Sequence, residues 1–289
     1  MLDFESIIQI PTPLYELRDK KWEDLGLRVL VKRDDLTHPM LSGNKYRKLK
    51  YNLNYAKEQG FSRLLTFGGA YSNHLYAFAF ACKYFGFEGT AIIRGEELDA
   101  NSSPTLAFAF EQGVDLRFVS RSSYRDKEQF HDDESYIIPE GGSNELALVG
   151  VEEIWSEIPE EADYILTACG TGGTLAGLLK GAPSDTEVIG VPVLKGAEFI
   201  KKEVERWLQK PFTLFTQYHF GGYAKHTPEL LHFIQDFQTK YSIPLEQVYT
   251  GKMFYAFNDL AEKGYFKRGS TVVLLHTGGL QGRIPILAS

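Results

Sequence analysis

The stretch with the clearest capacity for covalent chemistry is Ser42-Gly43-Asn44-Lys45-Tyr46-Arg47-Lys48-Leu49-Lys50, a small polar turn running into a lysine-bearing helix. From Tyr46 the apolar residues recur at Leu49, Leu53 and Ala56, the spacing of one helix face, which puts Lys45 in the first turn and Lys48 one turn on. Both ammonium groups can then reach one pocket. A desolvated lysine gives up its proton more easily, and the neutral amine can condense with an aldehyde to form a Schiff base. A basic helix face turned to water is the competing reading of such a turn. What weighs against it lies further along the chain.

Three apolar runs empty into small-residue turns. Residues 63–67 read as a buried strand that breaks at Gly68-Gly69-Ala70-Tyr71 and restarts as a helix at Ser72-Asn73-His74, with Ser72 as its N-cap. Residues 164–168 lead into Cys169-Gly170-Thr171-Gly172-Gly173-Thr174, with a helix behind, and residues 271–275 end in His276-Thr277-Gly278-Gly279. The loop Gly170, Thr171, Gly172, Gly173, Thr174 is the best anion cradle: its glycines admit close backbone approach, the next helix offers free amides, and two threonines add hydroxyls.

Elimination narrows the anion. No lysine follows these glycines as a P-loop requires, and Leu175 stands where the dinucleotide fingerprint needs a third glycine or alanine. The seven histidines show no metal-ligand spacing, and there is no Gly-x-Ser-x-Gly elbow. His74 and His276 are therefore expected to be loop hydrogen-bonders, and no metal is expected. A single phosphate monoester fits the cradle, with Lys48 as a second charge on it. Phosphate cradle and poised lysine together point to pyridoxal 5'-phosphate.

The elements that must position these groups alternate. Further strands are predicted over 89–94, 115–119, 136–139 and 187–193, with a short strand pair around 28–33. Helices are predicted over 105–112, 143–157, 198–209, 228–241 and 252–263, with a polar helix over 124–132. That alternation implies an α/β chain of two domains, each an open, mostly parallel twisted sheet with helices on both faces. With a crossover at Gly141-Gly142, residues 1–49 and 146–289 form a large cofactor-binding domain and residues 50–145 a smaller one. Ligands gather beyond the carboxyl ends of such strands.

Composition sets the class. The 289 residues are 43% hydrophobic and 24% charged, enough for a substantial core, and the net charge of -7 leaves no footprint for nucleic acid. Without a leader-like start or a long apolar run, a cytoplasmic enzyme without a membrane partner is expected. Cys82 and Cys169 are expected to be buried, reduced thiols.

Four ordered motifs carry a resemblance: Ser-Gly-Asn-Lys-Tyr-Arg-Lys-Leu at 42–49, Gly-Gly-Ala-Tyr-Ser-Asn-His at 68–74, Gly-Thr-Gly-Gly-Thr-Leu-Ala-Gly at 170–177 and Val-Tyr-Thr-Gly-Lys at 248–252. From about residue 10 onward the chain resembles the 1-aminocyclopropane-1-carboxylate deaminase and D-cysteine desulfhydrase family, of the tryptophan synthase beta-like fold. The resemblance implies Lys45 as the Schiff-base lysine, Lys48 as a phosphate contact, and residues 170–174 as the phosphate loop. It implies Asn73 at the cofactor's phenolic oxygen and Ser72 holding the substrate carboxylate or acting on the substrate directly. It also implies Tyr249 and Tyr223 as acid or base candidates, Thr277 facing the pyridine nitrogen, and a homodimer. A hydroxyl there does not hold that nitrogen protonated, which suits elimination better than transamination.

Two departures bear on substrate. Deaminases of the cyclopropane acid carry glutamate directly after the tyrosine, where this chain has Thr250, as the desulfhydrase branch does. The chain is also shorter than typical members, between Gly181 and Tyr223. The resemblance therefore implies α,β-elimination from a small D-amino acid, releasing keto acid, ammonia and, from D-cysteine, sulfide. A deaminase on another substrate and a catalytically silent cofactor carrier are the rival readings.

Overall fold

The structure, a computed structural model, describes residues 1–158 and 161–287. In chain order, β1 (Leu14–Glu16), α1 (Lys20–Asp24) and β2 (Arg28–Lys32) lead to the lysine helix α2 (Asn44–Glu58). Then come β3 (Arg63–Gly68), α3 (Asn73–Phe85), β4 (Glu88–Arg94), α4 (Pro104–Glu111), β5 (Asp115–Val119), β6 (Ser135–Ile138) and α5 (Glu145–Glu152). The rest is β7 (Tyr164–Cys169), α6 (Gly173–Gly181), β8 (Glu187–Pro192), α7 (Phe199–Trp207), β9 (Thr213–Leu214), α8 (Pro228–Tyr241), α9 (Thr250–Glu262) and β10 (Thr271–Leu275).

Among the described residues the strands form two sheets, ordered β1-β2-β10-β7-β8-β9 and β5-β4-β3-β6. All pairings are parallel except that of β1 with β2. Every residue of β7 is buried, as a strand covered on both faces must be. At the centre of the larger sheet Leu274 stands opposite Leu166 and, on its other side, Val31, so the loops after β7 and β10 leave the same edge side by side. α2 packs Tyr46, Leu49, Leu53 and Ala56 into the core of the smaller sheet, with Phe4, Ile8 and Leu41.

Local chemistry sets the helix starts. Ser72, Ser103, Asn144 and Thr227 each accept a backbone N–H from the first turn of α3, α4, α5 and α8. Pro104 and Pro228 follow two of these caps at a position where no amide is needed.

Two expectations are corrected. The polar helix over 124–132 is absent; in its place are two 3-10 turns, Ser123–Arg125 and Glu128–Phe130. Gln129 Nε2 donates to the carbonyls of Ser123 and Asp126, which a continuous helix would need for its own amides. The helix expected from residue 252 starts at Thr250, because the Glu246 carboxylate accepts the amides of Val248, Tyr249 and Thr250 at 2.6, 2.8 and 2.5 Å.

Candidate active site

Before Lys45, the chain makes a tight turn at Gly43, whose φ of 61° already favours glycine. A Cβ there would lie 2.1 Å from the Thr277 carbonyl oxygen, so the loop after β10 is pressed onto the start of α2. One turn into α2, Arg47 is fully buried. It pairs with Asp34 at 2.6 Å and Glu157 at 2.9 Å, and Lys32 donates to the same Glu157 at 2.6 Å. This network fixes the lysine helix to the edge of the larger sheet.

The loops after β3, β7 and β10 and the first turn of α2 enclose a cavity of about 320 Å³. Lys45, Lys48, Ser72, Asn73, Gly170, Thr171, Gly172, Thr174, Tyr223, Tyr249 and Thr277 all line it. Gly173, the remaining residue of the expected phosphate loop, does not. It lies behind the wall, where a Cβ would come 2.4 Å from Ser143 Oγ and 2.9 Å from Lys48 Nζ.

Burial pushes the Lys45 amine down to about 8, so part of it is neutral near physiological pH. Burial, reinforced by the Lys45 charge, also holds Lys48 well below the usual lysine range. Lys48 Nζ donates to the Gly141 carbonyl at 3.1 Å and to Ser143 Oγ at 3.0 Å, leaving one N–H for the cavity. Ser143 Oγ is 2.7 Å from Thr171 Oγ1, and Asn44 Nδ2 donates to Thr174 Oγ1 at 2.8 Å. No side chain caps α6, whose first turn begins at the glycine loop. Ammonium, hydroxyls and uncapped amides on one wall, with glycine where a side chain would intrude, fit a phosphate monoester.

Two tyrosines also line the cavity, and Tyr249 sits beside Gly170, where a Cβ would lie 3.3 Å from its ring. Tyr223 and Tyr249 meet edge to face with centroids 6.1 Å apart, and the Tyr223 hydroxyl donates to the Tyr71 carbonyl at 3.1 Å. Burial raises the pKa of both phenols, and for Tyr249 the neighbouring Tyr223 adds to the rise. Both are therefore protonated near neutral pH. Ser72 Oγ accepts the Leu75 amide at 3.2 Å and keeps its own proton for a ligand, and Gln281 Nε2 donates to Asn73 Oδ1 at 2.8 Å.

His276 Nε2 and the Pro244 carbonyl are 2.7 Å apart, and His276 Nδ1 accepts the Gly278 amide at 3.2 Å. His74 Nε2 is 2.8 Å from Thr66 Oγ1. Among the described residues no cluster of His, Cys, Asp and Glu can hold a metal ion. Both cysteines are free and buried.

Sequence reasoning missed Asn44, Ser143, Gln281, Arg94 and Glu140, all of which line the cavity or bond to residues that do. Arg94 and Glu140 stand at or just beyond the carboxyl ends of β4 and β6, the place where ligand-facing residues are expected. Gln281 left no such signal.

Residues 6–278 match the family described as pyridoxal-phosphate dependent enzyme. The chain belongs to that family. Pyridoxal phosphate is thus the cofactor of this enzyme's family, and the cradle and amine fit it. A Pyrococcus abyssi protein named "Putative 1-aminocyclopropane-1-carboxylate deaminase" is 33% identical, over 96% of this chain and 93% of its own. The Arabidopsis thaliana protein named bifunctional D-cysteine desulfhydrase/1-aminocyclopropane-1-carboxylate deaminase, mitochondrial, is 29% identical, over 96% of this chain and 78% of its own. A solved structure described as an ACC deaminase homologue superposes with a TM-score of 0.81 at 30% identity, covering 96% of this chain and 91% of its own. This pyridoxal-phosphate dependent enzyme therefore has deaminase- and desulfhydrase-like relatives along nearly its whole length. No helix among the described residues is long and apolar enough to cross a membrane.

Proposed function

We propose that the protein catalyses α,β-elimination from a small D-amino acid in the manner of a D-cysteine desulfhydrase. The observation that carries this reading is that Lys45, a phosphate-type cradle and two protonated phenols line one cavity.

Pyridoxal phosphate, when bound, supplies the electron sink for the substrate α-carbon. Lys45 is the residue that holds it. Lys48, Thr171, Thr174 and the amides at residues 172–174 would hold its phosphate, and Asn73 and Thr277 would hold the rest of it. Ser72, with its hydroxyl proton unspent, holds the substrate carboxylate at the start of α3. Lys45, freed once the substrate's amine takes its place, would accept the α-proton in its amine form. Tyr223 and Tyr249 keep their phenolic protons at neutral pH, and one of them delivers its proton to the departing β-substituent. Arg94 and Glu140 line the same cavity. The overall products are a keto acid, ammonia and the β-substituent, sulfide in the case of D-cysteine.

Thr250 favours elimination over ring opening. Its side chain is fully buried and bonded to Glu246, not turned into the cavity. The name of the Pyrococcus relative favours the second reading, deamination of the cyclopropane acid, whereas that of the Arabidopsis relative carries both activities. Keto acid and sulfide release by the cofactor-loaded protein from D-cysteine, L-cysteine and 1-aminocyclopropane-1-carboxylate separates them. Turnover of D-cysteine with sulfide release is expected; release from the cyclopropane acid alone would overturn the proposal. An enzyme that binds the cofactor but turns over none of the three is the silent carrier.

A further inference from the structure

Three residues past Tyr249, Lys252 turns its side chain inward from the first turn of α9 and has no exposed surface. Its ammonium donates to the carbonyls of His219 and Gly222, both at 2.8 Å, and to that of Val193 at 3.4 Å. Three N–H donors meet three backbone oxygens, so the cation is satisfied without a carboxylate bonded to it. Burial lowers its pKa to about 8, with the Glu246 charge opposing, so it is still mainly an ammonium at neutral pH.

What it holds is a segment with two non-glycine residues in left-handed backbone. Phe220 and Ala224 have φ of 49° and 55°, left-handed values that side chains other than glycine rarely adopt. The turn's internal bonds include Gly222 N to His219 O at 3.0 Å, Lys225 N to Gly222 O at 3.1 Å and Gly221 N to His219 Nδ1 at 3.0 Å. The same two oxygens are the ones Lys252 binds. The clamped Gly222 carbonyl immediately precedes Tyr223, whose ring lines the cavity against Tyr249. The third acceptor, Val193, sits just beyond β8 and before Leu194, another cavity residue.

We infer that Lys252 is a positioning residue: through the His219 and Gly222 carbonyls it sets Tyr223 against Tyr249, so that one helix start places both phenols. Tyr249 is placed by its own backbone at the head of α9, and Tyr223 by the side chain one turn on. That these phenols serve the reaction as acids rests on the function proposed above.

The test compares the full-length protein with Lys252→Met, Tyr223→Phe and the double variant, by hydrogen exchange and by keto acid release from D-cysteine. In Lys252→Met the amides of Gly221, Gly222 and Lys225 should exchange at least about tenfold faster, while those of α9 beyond its first turn and of β10 keep their protection. Each single variant should lose turnover by on the order of 10²-fold, the scale of one placed acid, and the double variant should lose no more. Unchanged exchange at 221–225, or losses that multiply in the double variant, would overturn the inference. Should Lys252→Met fail to fold, Lys252→Gln, which keeps two N–H donors, is read the same way. Should the unsubstituted protein release no keto acid, the reading of function fails by itself, and the exchange pattern alone decides whether Lys252 clamps the Tyr223 segment.

Discussion

Asn44, the residue before Lys45, donates its side-chain amide to Thr174 Oγ1 at 2.8 Å, across 130 positions of sequence. Both groups are more than nine-tenths buried. The bond ties the turn carrying Lys45 to the glycine loop, so two parts of the candidate cofactor site keep a fixed separation. Asn44→Ala should cost about 1–3 kcal/mol in urea unfolding, because a buried hydroxyl loses its donor. Cofactor affinity, titrated by the yellow imine absorbance, should weaken by about tenfold. An unchanged affinity in the Ala variant would mean that the separation is set elsewhere.

The depressed pKa of Lys45 has a kinetic signature. Only the neutral amine attacks an aldehyde, so the rate at which apoprotein takes up pyridoxal phosphate should rise with pH and level off with a midpoint of about 8, well short of an ordinary lysine. The matching effect on stability has a defined sign. Between about 8 and the ordinary value of 10.5 the unfolded chain binds a proton at Lys45 that the folded one does not, so this residue's contribution rises with pH across that window. Stopped-flow absorbance reads the first effect, and a midpoint near 10 would contradict the burial argument.

How much of this was legible beforehand depended on the range of the interaction. The continuous apolar runs that became β3, β7 and β10 and the glycine turns after them could be read directly, because a strand covered on both faces has no polar alternation to obscure it. Ser72 could be read as a cap because capping is local. The 124–132 segment was misread because Gln129 competes for its carbonyls, and the head of α9 because a buried glutamate four residues back does what a short polar cap ordinarily does. Ser143, Gln281 and the acceptors of Lys252 were beyond reach, since their partners lie 28 to 208 positions away and only the fold brings them together.

Glu157 links acid stability to the lysine helix. Burial alone would raise its pKa, but hydrogen bonds and charge from Arg47, then the bond from Lys32, outweigh it and bring the carboxyl to about 2. Its stabilising contribution is therefore fully present above the ordinary value of 4.5 and is lost as pH falls from there towards 2. Glu157→Gln should remove that part of the pH dependence and lower stability at neutral pH by about 3–5 kcal/mol, because Lys32 and Arg47 then keep buried charge with fewer partners. Urea midpoints between pH 3 and 7 (roughly the accessible window) compare the two proteins, and parallel curves would show that the network carries no such load.

Thr250 should not be exchangeable on its own for the glutamate of the cyclopropane-cleaving relatives. Its hydroxyl accepts the Glu246 amide at 3.1 Å and donates to the Glu246 carboxylate at 3.1 Å, and that carboxylate is already committed to three amides at the start of α9. Thr250→Glu would set a second carboxylate against a fully buried first one, whose own pKa burial already raises. One of the two must take up a proton or leave its place, and leaving frees the amides that fix Tyr249. The expected outcome is a loss of about 3 kcal/mol in urea unfolding, weaker elimination from D-cysteine, and no ring opening. Adding Glu246→Gln should recover part of the stability by removing the like charge while keeping an acceptor for the amides. A Thr250→Glu protein as stable as its parent, releasing keto acid from the cyclopropane substrate, would show that the head of α9 tolerates both carboxylates and that this single position divides the two reactions.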